Sequence, residues 1–176
     1  MIGIDETRDF KAIRIAVLTV SDTRTRENDT SGDLLTARIE SAGHSVAARE
    51  IVKDDIDELR HQLQFWIDNP SVDAVVTTGG TGLTGRDITV EAVTPLFDKV
   101  IDGFSVVFHM VSYGTIGLST LQSRACAGLA GETFIFCLPG SNGAVKDGWD
   151  KVISAQLDNR HRPCNMVELM PRLGEK

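Results

Sequence analysis

The tightest constraint on this chain is VDAVVTT followed by GGTGLTGRD, a β-branched run that opens into a segment holding four of the chain's 16 glycines within seven residues, Gly79 to Gly85. A run of that kind belongs in a strand buried on both faces of a parallel sheet. Glycine at that density marks backbone that takes positive φ or lies against a ligand. Together they predict a strand-to-helix turn of an α/β domain. The rest of the chain has the same alternation. Ile13 to Ser21 and HSVAAREIV predict strands on either side of a polar loop, DTRTRENDTSGD, and a helix with Leu35, Ile39 and Ala42 on one face, ended by Gly43. Ile56, Leu59, Leu63, Trp66 and Ile67 recur at a helix period, with Asp55 and Glu58 at a capping spacing. After the glycine segment come a helix from about Ile88 that is bent or ended near Pro95, a helix over Gly103 to Tyr113, the ambiguous LSTLQSRACAG, a fourth strand in TFIFCLPG, and a long helix from about Asn142 to Arg160.

Strands alternating with helices predict a three-layer α/β/α domain with a largely parallel sheet. The expected division is a polar lead over residues 1–12, one domain over 13–165 and a tail over 166–176. In open sheets of this class, ligands sit beyond the carboxyl ends of the strands where the strand order reverses. The segments expected there are Ser21-Asp22 with its polar loop, Gly79 to Asp87, and Pro139 to Asn142.

The glycine segment fits two nucleotide motifs incompletely. Gly80, Gly82 and Gly85 spell G-x-G-x-x-G, but after the third strand rather than the first, with only Asp102 as a ribose-binding acid. Gly80 to Asp87 nearly spells a P-loop, with Arg86 in place of the phosphate lysine and Asp87 in place of the metal-binding hydroxyl. An aspartate there can bind Mg²⁺ directly, and it also suits the N-cap of the following helix.

With 25 Asp and Glu against 18 Lys and Arg, the net charge of −7 repels nucleic acid and anionic membranes, so an anionic ligand must be held locally. Cys126, Cys137 and Cys164 show no C-x-x-C pairing, and His44, His61, His109 and His161 lie far apart, which argues against a disulfide framework and a zinc site. No signal peptide and no stretch approaching 18 apolar residues is evident, so a cytoplasmic protein is expected.

TTGGTGLTGRDITVEAV, DTSGD, LQSRACAG, LPGS and the ending QLDNRHRPCN, in that set and spread over about Arg14 to Asn165, closely resemble the MoaB/MogA family of molybdenum-cofactor biosynthesis proteins. The RPCN segment looks more like the MoaB branch. The resemblance implies a molybdopterin-binding α/β fold and, in active members, adenylylation of molybdopterin with ATP and Mg²⁺, releasing pyrophosphate. It places the two functional aspartates at Asp87 and Asp54, with Asp55 beside Asp54 as an alternative, and ligand contacts at Ser21, Thr78, Gly79, Gly80, Thr81, Gly82, Ser123, Arg124, Pro139, Gly140 and Ser141. It further implies a homotrimer or homohexamer and hand-over to other molybdenum-cofactor enzymes. A non-catalytic paralogue that carries the pterin is the competing expectation.

That chemistry suits the residue types. A terminal phosphate is already ionised at neutral pH, so the attack needs charge neutralisation more than a strong base. Asp54 and Asp87 are therefore expected as Mg²⁺ ligands, the Gly79 to Gly82 amides as an anion cradle, and Arg124 as a phosphate cation. Capping or surface roles remain the alternatives for Asp54 or Asp55, Ser141 and Arg124. Phe104, Val107, Phe108 and Val111, at helix spacing, suit either the core or a subunit contact.

Overall fold

The computed structural model describes residues 2–175; Met1 and Lys176, at the ends of the expected lead and tail, lie outside the described residues. Its main sheet has six strands. β2 (Arg14–Val20), β3 (Ser45–Val52), β4 (Ala74–Thr78) and β7 (Thr133–Leu138) form a parallel block in the order β3-β2-β4-β7. β6 (Cys126–Ala130) and β5 (Lys99–Val100) extend it as antiparallel strands beyond β7. A separate two-stranded ribbon pairs β1 (Gly3–Ile4) with β8 (His161–Arg162), so the polar lead is tied to the last residues of the domain, just before the tail.

The period of two along β2 divides the core. Ile15 and Val17 face α1 (Thr30–Ser41), α4 (Asp102–Ile116) and α5 (Asn142–Gly148), packing with Leu35, Phe108 and Val145. Ala16, Leu18 and Val20 face α2 (Ile56–Ile67) and α3 (Thr89–Val93), packing with Leu59, Trp66 and Val93. These are the three layers that the alternation predicts. DTSGD is a structural motif within them: Asp29 caps α1 through the Gly32 amide, is fully buried, and pairs with Arg49 at 2.9 Å and with the Thr19 hydroxyl at 2.7 Å.

Two strands of the sheet were not evident in the sequence. β6 reads CAGLA, rich in small residues of low strand preference, and Gly128 is there because a side chain would collide with the Phe97 ring. β5 has two residues, too few for a period to be read. The last helix is also shorter than expected: α5 passes through a π-helical turn, Trp149–Ile153, and ends at Gln156, where the Gln156 carbonyl accepts from the Met166 amide.

Asp102–Gln122 is long enough and apolar enough on average to cross a membrane, by length and composition only, although Ser, Thr, Gly and His interrupt it and no run in it approaches 18 apolar residues. Its α-helical part is only 15 residues, about 22 Å at 1.5 Å per residue against a hydrocarbon thickness of about 30 Å. Gly117, at φ +60°, ends it, and Phe104 and Phe108 pack it on the sheet. Its outer face still exposes Val106, Met110, Tyr113 and Ile116.

Candidate functional site

The chain turns left from β2 to β3 and then crosses to β4, so the strand order reverses between β2 and β4. A cleft of about 540 Å³ opens at their carboxyl ends, bounded by Ser21 after β2, the glycine loop after β4 and Pro139-Gly140 after β7. The loop starts under strict steric control. Gly79 has φ +109°, and a Cβ on it would strike the Val20 carbonyl oxygen; Gly80 has φ +65°, and a Cβ on it would strike the Thr89 hydroxyl. Thr89 also holds the loop from below, its hydroxyl donating to the Gly79 carbonyl at 2.8 Å and its amide to the Gly80 carbonyl at 2.9 Å. Gly140 lies directly opposite, where a Cβ would come 3.1 Å from the Gly79 Cα. With the carbonyls so used, the Gly80 and Thr81 amides donate to no protein acceptor among the described residues and are available to an anion.

Asp87 does not cap α3. The residue at that position is Ile88, and the Asp87 carboxylate instead accepts from the Thr84 hydroxyl at 2.7 Å and the Thr84 amide at 2.9 Å, closing the loop on itself. The Thr84 hydroxyl bond, together with the Thr84 and Gly82 amides and the nearby Arg124 charge, holds the Asp87 carboxyl below the usual carboxylate range against a small burial penalty. Gly82 leaves room for this arrangement, since a Cβ there would meet Asp87 Oδ2 at 2.7 Å.

Geometry gives Asp54 and Asp55 different places. Asp55 is the N-cap of α2, accepting from the Asp57 and Glu58 amides at 3.0 and 2.9 Å, as its D-x-x-E spacing predicts. Asp54 is left to line the cleft. Its Oδ2 accepts from the Asp22 amide at 3.0 Å, while its own amide donates back to Asp22 Oδ1 at 3.3 Å. Burial first and the charge of Asp87 second push the Asp54 carboxyl upward. Two carboxylates thus face one cleft, one held below the usual carboxylate range and one pushed upward by burial and, second to it, by repulsion from the other's charge.

That repulsion is what a divalent cation relieves. Among the described residues no group of three or more His, Cys, Asp and Glu side chains could hold a metal ion unaided, so an ion at Asp54 and Asp87 needs further oxygens from a bound phosphate. Mg²⁺ is held in this way, by one or two carboxylates and substrate phosphates, and the donor set fits it.

Other expected residues divide. Ser21, Thr78, Thr81, Ser123, Pro139 and Ser141 all line the cleft. Thr78 also donates from its hydroxyl to the Pro139 carbonyl at 3.1 Å, and Ser141 also caps α5 through the Ala144 amide at 3.2 Å. Arg124 does not reach the cleft. Its guanidinium donates to the Gly82 carbonyl at 2.7 Å and the Asp87 carbonyl at 2.8 Å and pairs with Glu91, so it clamps the glycine loop from behind rather than offering a charge to a phosphate. The cations at the mouth are Arg24 and Arg86. Arg86, which pairs with Asp22, was visible in the sequence only as the residue that spoils a P-loop. Phe108, Ser112 and Asp147 also line the cleft; Phe108 was legible only as a helix-face residue, and Ser112 and Asp147 had no linear signal.

Comparison with known proteins finds similar chains and folds. Residues 16–159 match the family model described as "Probable molybdopterin binding domain". The chain is 49% identical over 157 residues to molybdenum cofactor biosynthesis protein B of Escherichia coli K12, covering 89% of this chain and 92% of that protein. Its fold matches a crystal structure of molybdenum cofactor biosynthesis protein B with a TM-score of 0.86 at 40% identity, over 96% of this chain and 100% of the other. It also matches the tungsten cofactor synthesizing protein MoaB from Pyrococcus furiosus, with a TM-score of 0.72 at 40% identity over 80% and 89% of the two chains.

Proposed function

Because this chain belongs to the molybdopterin-binding family of molybdenum-cofactor biosynthesis proteins and has a role in that biosynthesis, we propose that its cleft adenylylates molybdopterin with Mg·ATP. The terminal phosphate of molybdopterin attacks the α-phosphorus of ATP, a new P–O–P bridge forms, the α–β bridge breaks, and pyrophosphate leaves. The observation that carries this reading is the Asp54–Asp87 pair set beside a loop with free amides. A carrier needs only to bind its pterin, whereas two acids beside free amides suit a cation that also offsets the charge built up when two phosphates react.

Mg²⁺ held by Asp54 and Asp87 would neutralise charge on the reacting phosphates and orient an in-line displacement. The Gly80 and Thr81 amides receive phosphate oxygens, and Arg24 and Arg86 offset charge at the mouth. Arg124 and Thr84 fix the loop so that Asp87 stays ionised and in place. No group in the cleft has to remove a proton from the nucleophile, which is anionic at neutral pH.

Asp87→Asn tests this. Turnover measured as pyrophosphate release from purified molybdopterin and Mg·ATP falls by about a thousandfold or more, while pterin binding persists. Unchanged turnover removes Asp87 from the reaction.

We also propose that the exposed apolar face of α4, with Val106, Met110, Tyr113 and Ile116, is covered by further copies of the chain in a trimer or hexamer. A monomeric mass by light scattering at micromolar concentration overturns this.

A further inference from the structure

The β6–β7 hairpin brings together two cysteines that lie apart in the sequence. Cys126 and Cys137 are directly opposite in the antiparallel register, so their side chains stand on one face of the sheet, towards the α2 and α3 layer. Opposed residues of such a pair lie about 4.5–5.5 Å apart at Cα, within the span of about 4.4–6.8 Å that a disulfide bridges. Both are free thiols. Cys137 is fully buried, whereas Cys126 is half-buried and lies beyond Gly128 and Leu129, where β5 covers the edge of β6. The supports of the glycine loop stand beside this pair. Arg124, two residues before Cys126, donates its amide to the Thr81 carbonyl at 2.9 Å, and its guanidinium to the Gly82 and Asp87 carbonyls. Leu138, next to Cys137, accepts from the Gly79 amide at 3.0 Å. The loop is therefore slung between the β6 and β7 stems, and the spacing of the two stems sets its seat.

We propose that Cys126 and Cys137 form a reversible cross-strand disulfide when hydrogen peroxide reaches the protein, and that this bond loosens the glycine loop. The Cys126 thiolate attacks one peroxide oxygen, the O–O bond breaks, hydroxide leaves, and Cys126 becomes a sulfenic acid. The Cys137 sulfur then attacks the Cys126 sulfur, the S–S bond forms, and the sulfenic oxygen leaves as hydroxide. The protons given up by the two thiols turn both hydroxides to water, so two thiols lose two electrons and the peroxide gains them. A dithiol reverses the change by exchange. The two cysteines have unequal roles. The hydrogen bond from Cys137, aided by the Arg124 charge, outweighs burial and holds the Cys126 thiol below its ordinary range, so Cys126 ionises and meets the oxidant. That same bond and burial push the Cys137 thiol up, which keeps it in reserve as the group that resolves the sulfenic acid. Closing the bond draws the Cβ atoms from a cross-strand spacing of about 4.5–5.5 Å towards about 3.8 Å. The stems shift, and the Arg124 and Leu138 attachments of the loop shift with them.

The test exposes the full-length protein to a small excess of hydrogen peroxide, alkylates the remaining thiols under denaturing conditions and reads intact and peptide masses. The expected product has lost the mass of two hydrogens, contains a linked Cys126–Cys137 peptide and is alkylated at Cys164 alone; dithiothreitol restores alkylation of all three cysteines. Hydrogen exchange over Gly79 to Asp87 reads the loop whatever reaction the cleft performs. It rises about tenfold in the oxidised protein and returns on reduction. Cys126→Ser, at a half-buried position, shows neither the link nor the faster exchange, and Cys164→Ser shows both. Alkylation of all three cysteines after peroxide, conversion of Cys126 to a sulfinic acid with no link, or a link that leaves loop exchange unchanged overturns the switch.

Discussion

The parallel and antiparallel halves of the sheet serve different ends. In the parallel block every strand that meets the cleft ends in a segment with one allowed conformation: Val20 abuts Gly79, Gly79 abuts Gly140, and Thr89 bolts the loop to α3. Beyond β7 the sheet thins to a two-residue edge, and the helix above it, α4, turns apolar side chains to solvent. One half is finished within the chain and leaves free only the amides and carboxylates that chemistry needs. The other is unfinished, and its exposed surface is of a kind that another protein surface covers.

The sharpest way to break this contrast is Gly79→Ala. With positive φ and a carbonyl oxygen in the way, an added methyl forces the loop off β2, and pyrophosphate release is lost while the sheet stays folded by circular dichroism. Asp29→Ala comes next. It strips a buried carboxylate from Arg49, Thr19 and the α1 cap, and denaturant unfolding registers a loss of about 3 kcal/mol. Asp29 is held below its ordinary pKa despite the penalty of burial, because Arg49, Thr19 and the Gly32 amide bond its ionised form, so its contribution is present above the unfolded pKa near 3.8 and fades as pH falls through its lower folded value.

The two cleft aspartates give smaller, opposite effects. Asp54 has a raised pKa in the folded state, so its ionised form opposes folding at neutral pH; Asp54→Asn raises Tm slightly while it lowers turnover. Asp87 has a lowered pKa, so Asp87→Asn lowers Tm slightly. As pH falls Asp54 takes up a proton before Asp87 does, and the acid limb of the turnover profile therefore moves in variants that change Asp54's surroundings. Smallest in its effect on the fold is Met110→Glu on the outer face of α4. It changes unfolding free energy by no more than about 0.5 kcal/mol per isolated chain but lowers the assembled mass in light scattering.

The same division explains what could be read from the sequence. β2, β4 and β7 are β-branched or aromatic runs buried on both faces, and such runs announce themselves. β6 does not, because Gly128 makes room for the Phe97 ring and the two alanines of the strand have low strand preference. At the cleft, Asp55 and Gly79 were legible because capping and tight turns are local. Arg124, Arg86 and Asp147 were not. Whether an arginine faces a ligand or clamps a loop depends on Glu91 and the Gly82 carbonyl, brought near only by the fold. Asp147, four residues before Lys151, reads as a solvated helix pair until α4 closes over it.

The central claim is that the cleft joins two phosphates rather than merely holding a pterin. Its most direct test follows two labels in a single turnover with excess enzyme, Mg²⁺, molybdopterin, and ATP labelled at either the α- or the γ-phosphorus. The account predicts that α-label becomes bound to the pterin and γ-label appears only in pyrophosphate, with both transfers abolished by Asp87→Asn. Molybdopterin bound stoichiometrically while both labels remain in ATP would contradict it.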